Sequence, residues 1–262
     1  MSDESVTTKL SVNVNKIALL RNARDGGVPS VVELSRLALD AGAHGITVHP
    51  RPDQRHIRVT DVDALAELLA SPEYADREFN IEGNPLDSGG NPGSAHLMPI
   101  LERVKPTQAT FVPDNPNQNT SDHGFALTQP AVVDQLRPVV AQLKDWGCRV
   151  SLFVDPEPDD AAAAAQTGTD RIELYTESYA KAFGTPSRDV TLARFVATAE
   201  RARTAGLGVN AGHDLDLHNL PTFATGVSGL EEVSIGHALV ADALTYGMRQ
   251  VVNFYMSVLN ND

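Results

Sequence analysis

Arg149-Val-Ser-Leu-Phe-Val-Asp155-Pro-Glu-Pro-Asp-Asp160-Ala-Ala-Ala-Ala-Ala165-Gln-Thr-Gly168-Thr-Asp-Arg171-Ile-Glu-Leu-Tyr-Thr-Glu177 decides the fold class of this chain. It opens with a β-rich run, Arg149 to Asp155, that stops at Asp155-Pro156-Glu157, a helix-entry signal. The alanine run Ala161 to Ala165 has strong helix propensity and reads as a helix rather than a linker. Thr167-Gly168-Thr places glycine where a helix ends and a strand begins, and Arg171 to Glu177 is β-rich again. The stretch is therefore one complete strand–helix–strand unit.

The unit repeats in both directions. Further β-rich runs span Ser11 to Asn15, Gly45 to His49, Glu78 to Gly83, Ala109 to Asp114, Leu207 to His213 and Glu232 to His237, which makes eight in all. Between them lie amphipathic patterns such as Val31-Val32-Leu34-Leu37-Ala38 and a longer segment, Ala238 to Leu259. Gly42, Gly147 and Gly206 mark helix exits as Gly168 does, and Thr60-Asp61-Val-Asp63 marks another entry. Strands alternating with helices imply a parallel sheet, and eight units in about 250 residues is the size at which such a sheet closes. An open dinucleotide-binding sheet would carry Gly-x-Gly-x-x-Gly after its first strand, where this chain has Asn13-Val-Asn15-Lys16. The expectation is a single-domain α/β chain, a (β/α)8 TIM barrel over residues 1–262, with residues 1–9 as a flexible N-terminus. Asn84 to Gly93 and Asp114 to Asp122 are polar and turn-rich, so they read as long loops after the third and fourth strands.

The 262 residues are 42% hydrophobic, enough for a core without disulfide or metal staples. The lone Cys148 reads as a structural thiol and fits a reducing compartment. No window approaches the roughly 18 apolar residues of a membrane span, and Met1-Ser-Asp-Glu-Ser is unlike a secretory leader. A cytoplasmic location is expected. The formal net charge of -13 argues against nucleic acid or an anionic membrane as a partner. An anionic metabolite must then find a local positive pocket.

In a barrel the chemistry comes from the C-terminal strand ends and the loops after them. Gly45-Ile-Thr-Val-His49-Pro-Arg51-Pro-Asp-Gln-Arg55-His56 releases two imidazoles and two guanidiniums at one such end, a set suited to acid/base work beside an anion. The other ends deliver Asn13, Asn15 and Lys16; Glu82; Asp114; Asp155; Glu173 and Thr176; Asn210 and His213; and Gly236 and His237. Gly212-His213-Asp214 and Gly236-His237 fit the phosphate cradle that barrels build after strands seven and eight, although either glycine alone would also suit an ordinary tight turn. Arg24 and Arg51 could each add charge-assisted bonds, and two basic clusters imply two phosphates. A single His at a strand end is more often structural than catalytic, so the in-phase set carries the argument. His44 and His96 read as solvated, and His123 and His218 rest on spacing alone. Zinc hydrolase barrels open with His-x-His on strand one, so Asn13-x-Asn15-Lys16 argues against a metal. A Schiff-base aldolase using Lys16 is a further alternative.

The motifs Val12-Asn13-Val-Asn15-Lys16-Ile-Ala-Leu-Leu-Arg21-Asn-Ala-Arg24, Gly45-Ile-Thr-Val-His49-x-Arg51-x4-His56-Ile and Asn80-Ile-Glu82 resemble the PdxJ family of pyridoxine 5′-phosphate synthases. Val150-Ser-Leu-Phe-Val-Asp155, Glu173-Leu-Tyr-Thr, Val209-Asn-Ala-Gly-His213 and Ser234-Ile-Gly-His237-Ala continue the match in order along almost the whole chain. The resemblance implies a (β/α)8 barrel in a homo-octamer built from dimers, a transferase of vitamin B6 biosynthesis. It would condense 3-amino-2-oxopropyl phosphate (1-amino-3-phosphohydroxyacetone) with 1-deoxy-D-xylulose 5-phosphate, giving pyridoxine 5′-phosphate, inorganic phosphate and water. No cofactor is implied. By the same resemblance His49 and Glu82 accept protons, His213 donates one, and Glu173 stabilises charge in a transition state. Asn13, Arg24, Asp214, Gly236 and His237 would hold the amino-oxopropyl phosphate, and Arg51, His56 and Thr120 the deoxyxylulose phosphate.

Three features depart from the commoner family pattern. Asn15-Lys16 stands where many members have Asp-His, Asp214 where many have Gly, and a longer Gly/Pro-rich insertion follows Glu82. Lysine keeps a donor but gives up proton exchange near neutrality. These departures keep open a phosphate-sugar-binding barrel without catalysis. The apolar Tyr246 to Leu259 segment is a candidate for oligomer contacts.

Overall fold

Period-two alternation along eight short strands sorts the side chains into two environments, and that sorting builds the molecule. The computed structural model describes residues 7–87, 95–115, 118 and 120–260. The strands are β1 (Lys9–Asn13), β2 (Gly45–Val48), β3 (Glu78–Gly83), β4 (Gln108–Phe111), β5 (Arg149–Val154), β6 (Arg171–Tyr175), β7 (Gly208–His213) and β8 (Leu230–Ile235). All neighbours pair in parallel in sequence order, and β8 closes on β1 through Ser11 opposite Ser234. The result is a single-domain TIM barrel. Each expected strand is present with its ends shifted by up to three residues; Asn15 and Lys16, for example, open a helix instead of ending β1.

Alternate residues of each strand, such as Leu10 and Val12 of β1, Ile46 and Val48 of β2, or Leu152 and Val154 of β5, are fully buried in the main hydrophobic core. That core lies between the sheet and the helices. Most of the intervening residues are polar, Phe153 of β5 being an exception, although barrels of this class usually fill their interior with branched apolar side chains. Ser11 Oγ lies 2.7 Å from Thr47 Oγ1, Asn80 donates to Thr47 at 3.2 Å, and Thr110 donates to Asn80 at 3.0 Å, all buried. Hydrogen bonding offsets the desolvation of such groups.

The floor of the barrel, at the N-terminal strand ends, is closed by charge. Arg149 pairs with Glu78 and donates to Gln108 at 2.8 Å; Arg171 pairs with Glu231 and donates to Asn210 at 3.0 Å. Glu232 accepts from Gln108 and Asn210 at 3.4 Å each. Burial and the neighbouring Glu78 carboxylate push the Glu232 carboxyl well above its usual range. Burial acts on Glu78 in the same sense, but hydrogen bonds from Glu232 and Arg149 hold it below. Glu232 therefore carries the proton of this pair.

The helices are α1 (Asn15–Asn22), α2 (Val31–Asp40), α3 (Val59–Leu69), α4 (Leu97–Val104), α5 (Pro130–Asp145), α6 (Pro158–Ala164), α7 (Glu177–Ala182), α8 (Arg188–Thr204), α9 (Leu220–Gly226), α10 (His237–Tyr246) and α11 (Met248–Asn260). The alanine run is helical as expected, and Gly42, Gly147, Gly168 and Gly206 all carry the positive φ expected at helix exits. The segment expected as one helix to Leu259 breaks at Gly247, φ 80°, into α10 and α11. One apolar face of α11, with Val251, Val252, Tyr255 and Leu259, is buried within the protomer. Leu19 and Leu20 of α1 and Leu244 and Tyr246 of α10 are exposed. Of the expected flexible N-terminus, residues 1–9, Thr8 donates to Leu230 O at 2.9 Å and Lys9 opens β1, while residues 1–6 lie outside the described residues. Of the loop Asn84 to Gly93, residues 84–87 form a turn and the rest lies outside the described residues. Among the described residues no helix is long and apolar enough to cross a membrane.

Candidate active site

A cavity of about 310 Å³ opens at the C-terminal strand ends. Asn13, His49, Arg51, His56, Glu82, Thr120, Glu173, His213, Asp214, Gly236 and His237 all line it, with Asn15, Lys16, Val112, Ser121, Phe153 and Ser234. Eleven of the twelve expected site residues thus converge. Arg24 does not: it is exposed in the turn after α1 and lies outside the lining.

His49 leaves β2 with its backbone held by Asn15, whose Oδ1 accepts from His49 N at 2.8 Å. Asn at position 15 therefore supplies the acceptor that an Asp there would supply. The imidazole is 6% exposed and lies between two carboxylates, with Nδ1 3.7 Å from Glu82 Oε2 and Nε2 3.5 Å from Asp114 Oδ2. Burial, reinforced by Arg51 and His56, drives its pKa well below 6.5, so the ring is neutral near pH 7. Glu82 is pushed up to about 8 by burial and by Asp114, against the pull of Arg51 and a 3.3 Å hydrogen bond from Asn13 Nδ2. Burial and the nearby Glu82 carboxylate push Glu173 well above the usual range, and its Oε2 has no partner among the described residues. A Cβ at Gly212 would lie 2.4 Å from Glu173 Oε1, so only glycine leaves room for that carboxylate.

His213 ends β7 with φ 94°, a backbone region that non-glycine residues rarely adopt and that stores strain. Its Nδ1 lies 3.1 Å from Asp214 Oδ2 and its Nε2 2.8 Å from Thr120 Oγ1. Tyr175 packs edge-on to the ring at 5.3 Å. Thr176 Oγ1 braces the turn by donating to Gly212 O at 2.7 Å and accepting from Asp214 N at 3.2 Å. Gly236 precedes α10 and His237 is its first residue, so the helix directs free backbone N–H groups toward the cavity end.

The loop after β2 is clamped from α1. Arg21 pairs with Asp61 of α3 and donates to His56 O at 3.1 Å, while Asn22 donates to the same carbonyl at 2.8 Å. His56 Nδ1 accepts from Ile57 N at 2.8 Å, which leaves Nε2–H as its donor. Burial and Arg51 lower its pKa to about 4. Arg55, without a role from sequence, pairs with Asp53 at 2.8 Å and donates to Gln118 O at 2.9 Å, joining the loops after β2 and β4. The loop after β4 is pinned just beyond Thr120: Ser121 Oγ donates to Asp114 at 2.9 Å, and Gly124 N donates to Asp155 at 3.2 Å. A Cβ at Gly124 would come within 2.4 Å of the Val154–Asp155 backbone.

Sequence reasoning missed Arg21, Asn22 and Ser121 as positioning groups. Arg21 and Asn22 stood inside a quoted motif, but one sequence carries no signal that an α1 side chain grips a loop some 35 residues on. Lys16 lines the cavity from the first turn of α1. Among the uncommitted histidines, His123 pairs with Asp122 and His218 packs edge-on to Phe183 at 4.8 Å, and neither lines the cavity. His96, just before α4, buries its Nδ1 with no partner among the described residues, and His44 accepts from Leu10 N at 3.1 Å, so neither is simply solvated. Among the described residues no group of three or more His, Cys, Asp or Glu side chains is arranged to hold a metal ion.

Known proteins resemble this chain over almost its whole length. The model of the family described as "Pyridoxal phosphate biosynthesis protein PdxJ" matches residues 10–261. A pyridoxine 5′-phosphate synthase of Albidiferax ferrireducens is 53% identical over 256 residues, covering 96% of this chain and 97% of that protein. One from Xanthomonas axonopodis pv. citri is 51% identical over 258 residues, with 98% of each covered. Among solved structures, a ligand-free tryptophan synthase from M. tuberculosis superposes with a TM-score of 0.62 at 14% identity, over 97% of this chain and 94% of that one, a likeness of fold.

Proposed function

The chain belongs to the PdxJ family, and from that premise we propose how its strand ends divide the closing of a pyridine ring. The activity is that of a pyridoxine 5′-phosphate synthase, an enzyme of vitamin B6 biosynthesis: 3-amino-2-oxopropyl phosphate and 1-deoxy-D-xylulose 5-phosphate give pyridoxine 5′-phosphate, inorganic phosphate and water. The observation that carries the residue assignments is the convergence of His49, Glu82, Glu173 and His213 on one cavity.

Imine formation, tautomerisation, dehydration and aldol closure all move protons, and the substrate supplies its own amine. The sequence of steps therefore calls for neither an enzyme Schiff base nor a metal. His49, neutral near pH 7, accepts a proton without first losing one. Glu82 is largely protonated in the free site, with a pKa of about 8. A cationic amine or iminium beside it favours the carboxylate and turns it into a second acceptor. Glu173, whose carboxyl burial holds well above the usual range, answers developing positive charge in the same way. His213 delivers a proton from Nε2 while Asp214 holds Nδ1.

Arg51 and the Nε2–H of His56 form one anion locus, with Thr120 alongside, for the deoxyxylulose phosphate. Gly236 and His237 at the start of α10, with Asn13 and the Asp214 turn, form the other, for the amino-oxopropyl phosphate. Arg24 joins the second locus by a movement of its turn, a role that rests on family resemblance. We assign the chain to the cytoplasm and to a homo-octamer, which a solution mass measurement checks. Incubation with both substrates under metal-free conditions, followed by pyridoxine 5′-phosphate absorbance, is expected to show product. Its absence would sink the proposal.

A further inference from the structure

Asp114 has no role in the division of labour above, yet it touches more of the site than any other carboxylate. It lies just beyond β4 and is 4% exposed. One of its oxygens, Oδ2, takes Arg51 Nη2 at 2.8 Å and Ser121 Oγ at 2.9 Å, and faces His49 Nε2 at 3.5 Å. Its other oxygen, Oδ1, is buried with no partner among the described residues. The backbone around it is fixed, because Asn84 Nδ2 donates to Asp114 O at 2.7 Å.

A carboxylate oxygen accepts about two hydrogen bonds well. Oδ2 already has two, so His49 stands just outside hydrogen-bonding distance. The arrangement holds the guanidinium and the imidazole in competition for one oxygen. An anion arriving at Arg51 takes up part of the guanidinium's charge and donors. Asp114 is then free to turn toward Nε2, where a carboxylate stabilises an imidazolium.

We infer that Asp114 is a positioning residue that couples occupation of the Arg51 anion site to the strength with which His49 holds a proton. The inference rests on the reading of Arg51 as a phosphate contact. It gives the site an order: His49 becomes an effective base only when the phosphorylated substrate is seated. The other groups acting on His49 are Glu82 at Nδ1, Arg51, the His56 ring 6.4 Å away, Arg55 and His213; Arg51 and Glu82 also interact with Asp114, so the readout is the change that substrate causes within each variant, not the starting pKa.

The test is a titration of ¹⁵N-histidine-labelled full-length protein by NMR, with and without saturating 1-deoxy-D-xylulose 5-phosphate as the only substrate. His49 resonances are assigned by their loss in His49→Asn. In the wild type, substrate is expected to raise the apparent His49 pKa by about one unit or more. In Asp114→Asn the rise falls to less than half of that, the remainder being the direct field of the phosphate. Asp114→Ser, which removes the carboxylate from a smaller side chain, is read alongside and gives the same loss. An undiminished rise in both variants overturns the inference. Arg51→Gln separates the inference from its premise: it should weaken binding of this substrate at least tenfold, and unchanged binding overturns the reading of Arg51 itself.

Discussion

At the floor of the barrel Arg149 meets Glu78 and Gln108, Arg171 meets Asn210 and Glu231, and Glu232 shares its proton with Glu78. At the mouth Arg51 pairs with Asp114 at 2.8 Å, but His49 is 3.7 and 3.5 Å from its two carboxylates, and Glu173 Oε2 and Asp114 Oδ1 have no partner among the described residues. Both ends bury glutamates whose pKa values burial raises. The floor also leaves a carboxylate oxygen, Glu78 Oε1, without a partner among the described residues, but the other oxygen of that carboxylate is paired with Arg149. Composition therefore does not distinguish them, whereas the pairing of the charged groups around Glu232 and His49 does. A buried ion pair closed on itself spends its interactions on the fold, while one left open toward a cavity keeps them for a ligand.

Substitutions should separate the two ends. The largest effect is expected at the mouth, where His213→Asn should lower turnover by ~10²–10⁴-fold with little change in melting temperature. Near-normal turnover would remove His213 as proton donor. At the floor, Arg149→Ala strips Glu78 of its cation and should cost about 3 kcal/mol, or roughly 6–12 °C in melting temperature, while kcat below the transition stays within a few fold. A loss of activity in that variant without a loss of stability would break the contrast.

The fold itself is expected to register the open end. Glu82 titrates near 8 when folded and near 4.5 when unfolded, so the stability tied to its protonated form is complete below about 4.5 and drains away as pH rises through 8. Glu82→Gln should therefore become progressively more stable than the wild type between pH 5 and 8, by thermal melts; a pH-independent difference would contradict the raised pKa. The smallest effect is at Asp214. Its carboxylate steadies His213 Nδ1, and Asp214→Asn should reduce kcat about tenfold or less, with the backbone turn at Thr176 intact. A change in KM alone would return Asp214 to substrate binding.

Much of this was legible in the sequence, for physical reasons. The eight strands announced themselves because each is a β-rich run bounded by helix signals, and the mouth because titratable residues fall in phase at the strand ends. Strand limits moved where a polar pair such as Asn15-Lys16 starts a helix as readily as it ends a strand. Side-chain direction was less accessible. That the barrel interior is polar follows from alternation only after the register is known, as with Ser11, Thr47 and Asn80. The clamp from Arg21 and Asn22 onto His56 O joins residues some 35 positions apart, and a carbonyl partner leaves no trace in sequence. Arg24 could be named from its motif but not placed, because nothing local ties its turn to the cavity.

The central claim is that the open mouth performs the chemistry and the closed floor does not, and one pair of variants tests it with the same chemical change at both ends. Glu82→Gln and Glu232→Gln each replace a buried, raised-pKa glutamate by its amide, and pyridoxine 5′-phosphate formation from the two substrates is measured side by side. Glu82→Gln is expected to lose ~10²–10⁴-fold in kcat. Glu232→Gln should keep kcat within a few fold. Comparable losses in both, or an active Glu82→Gln enzyme, would contradict the account.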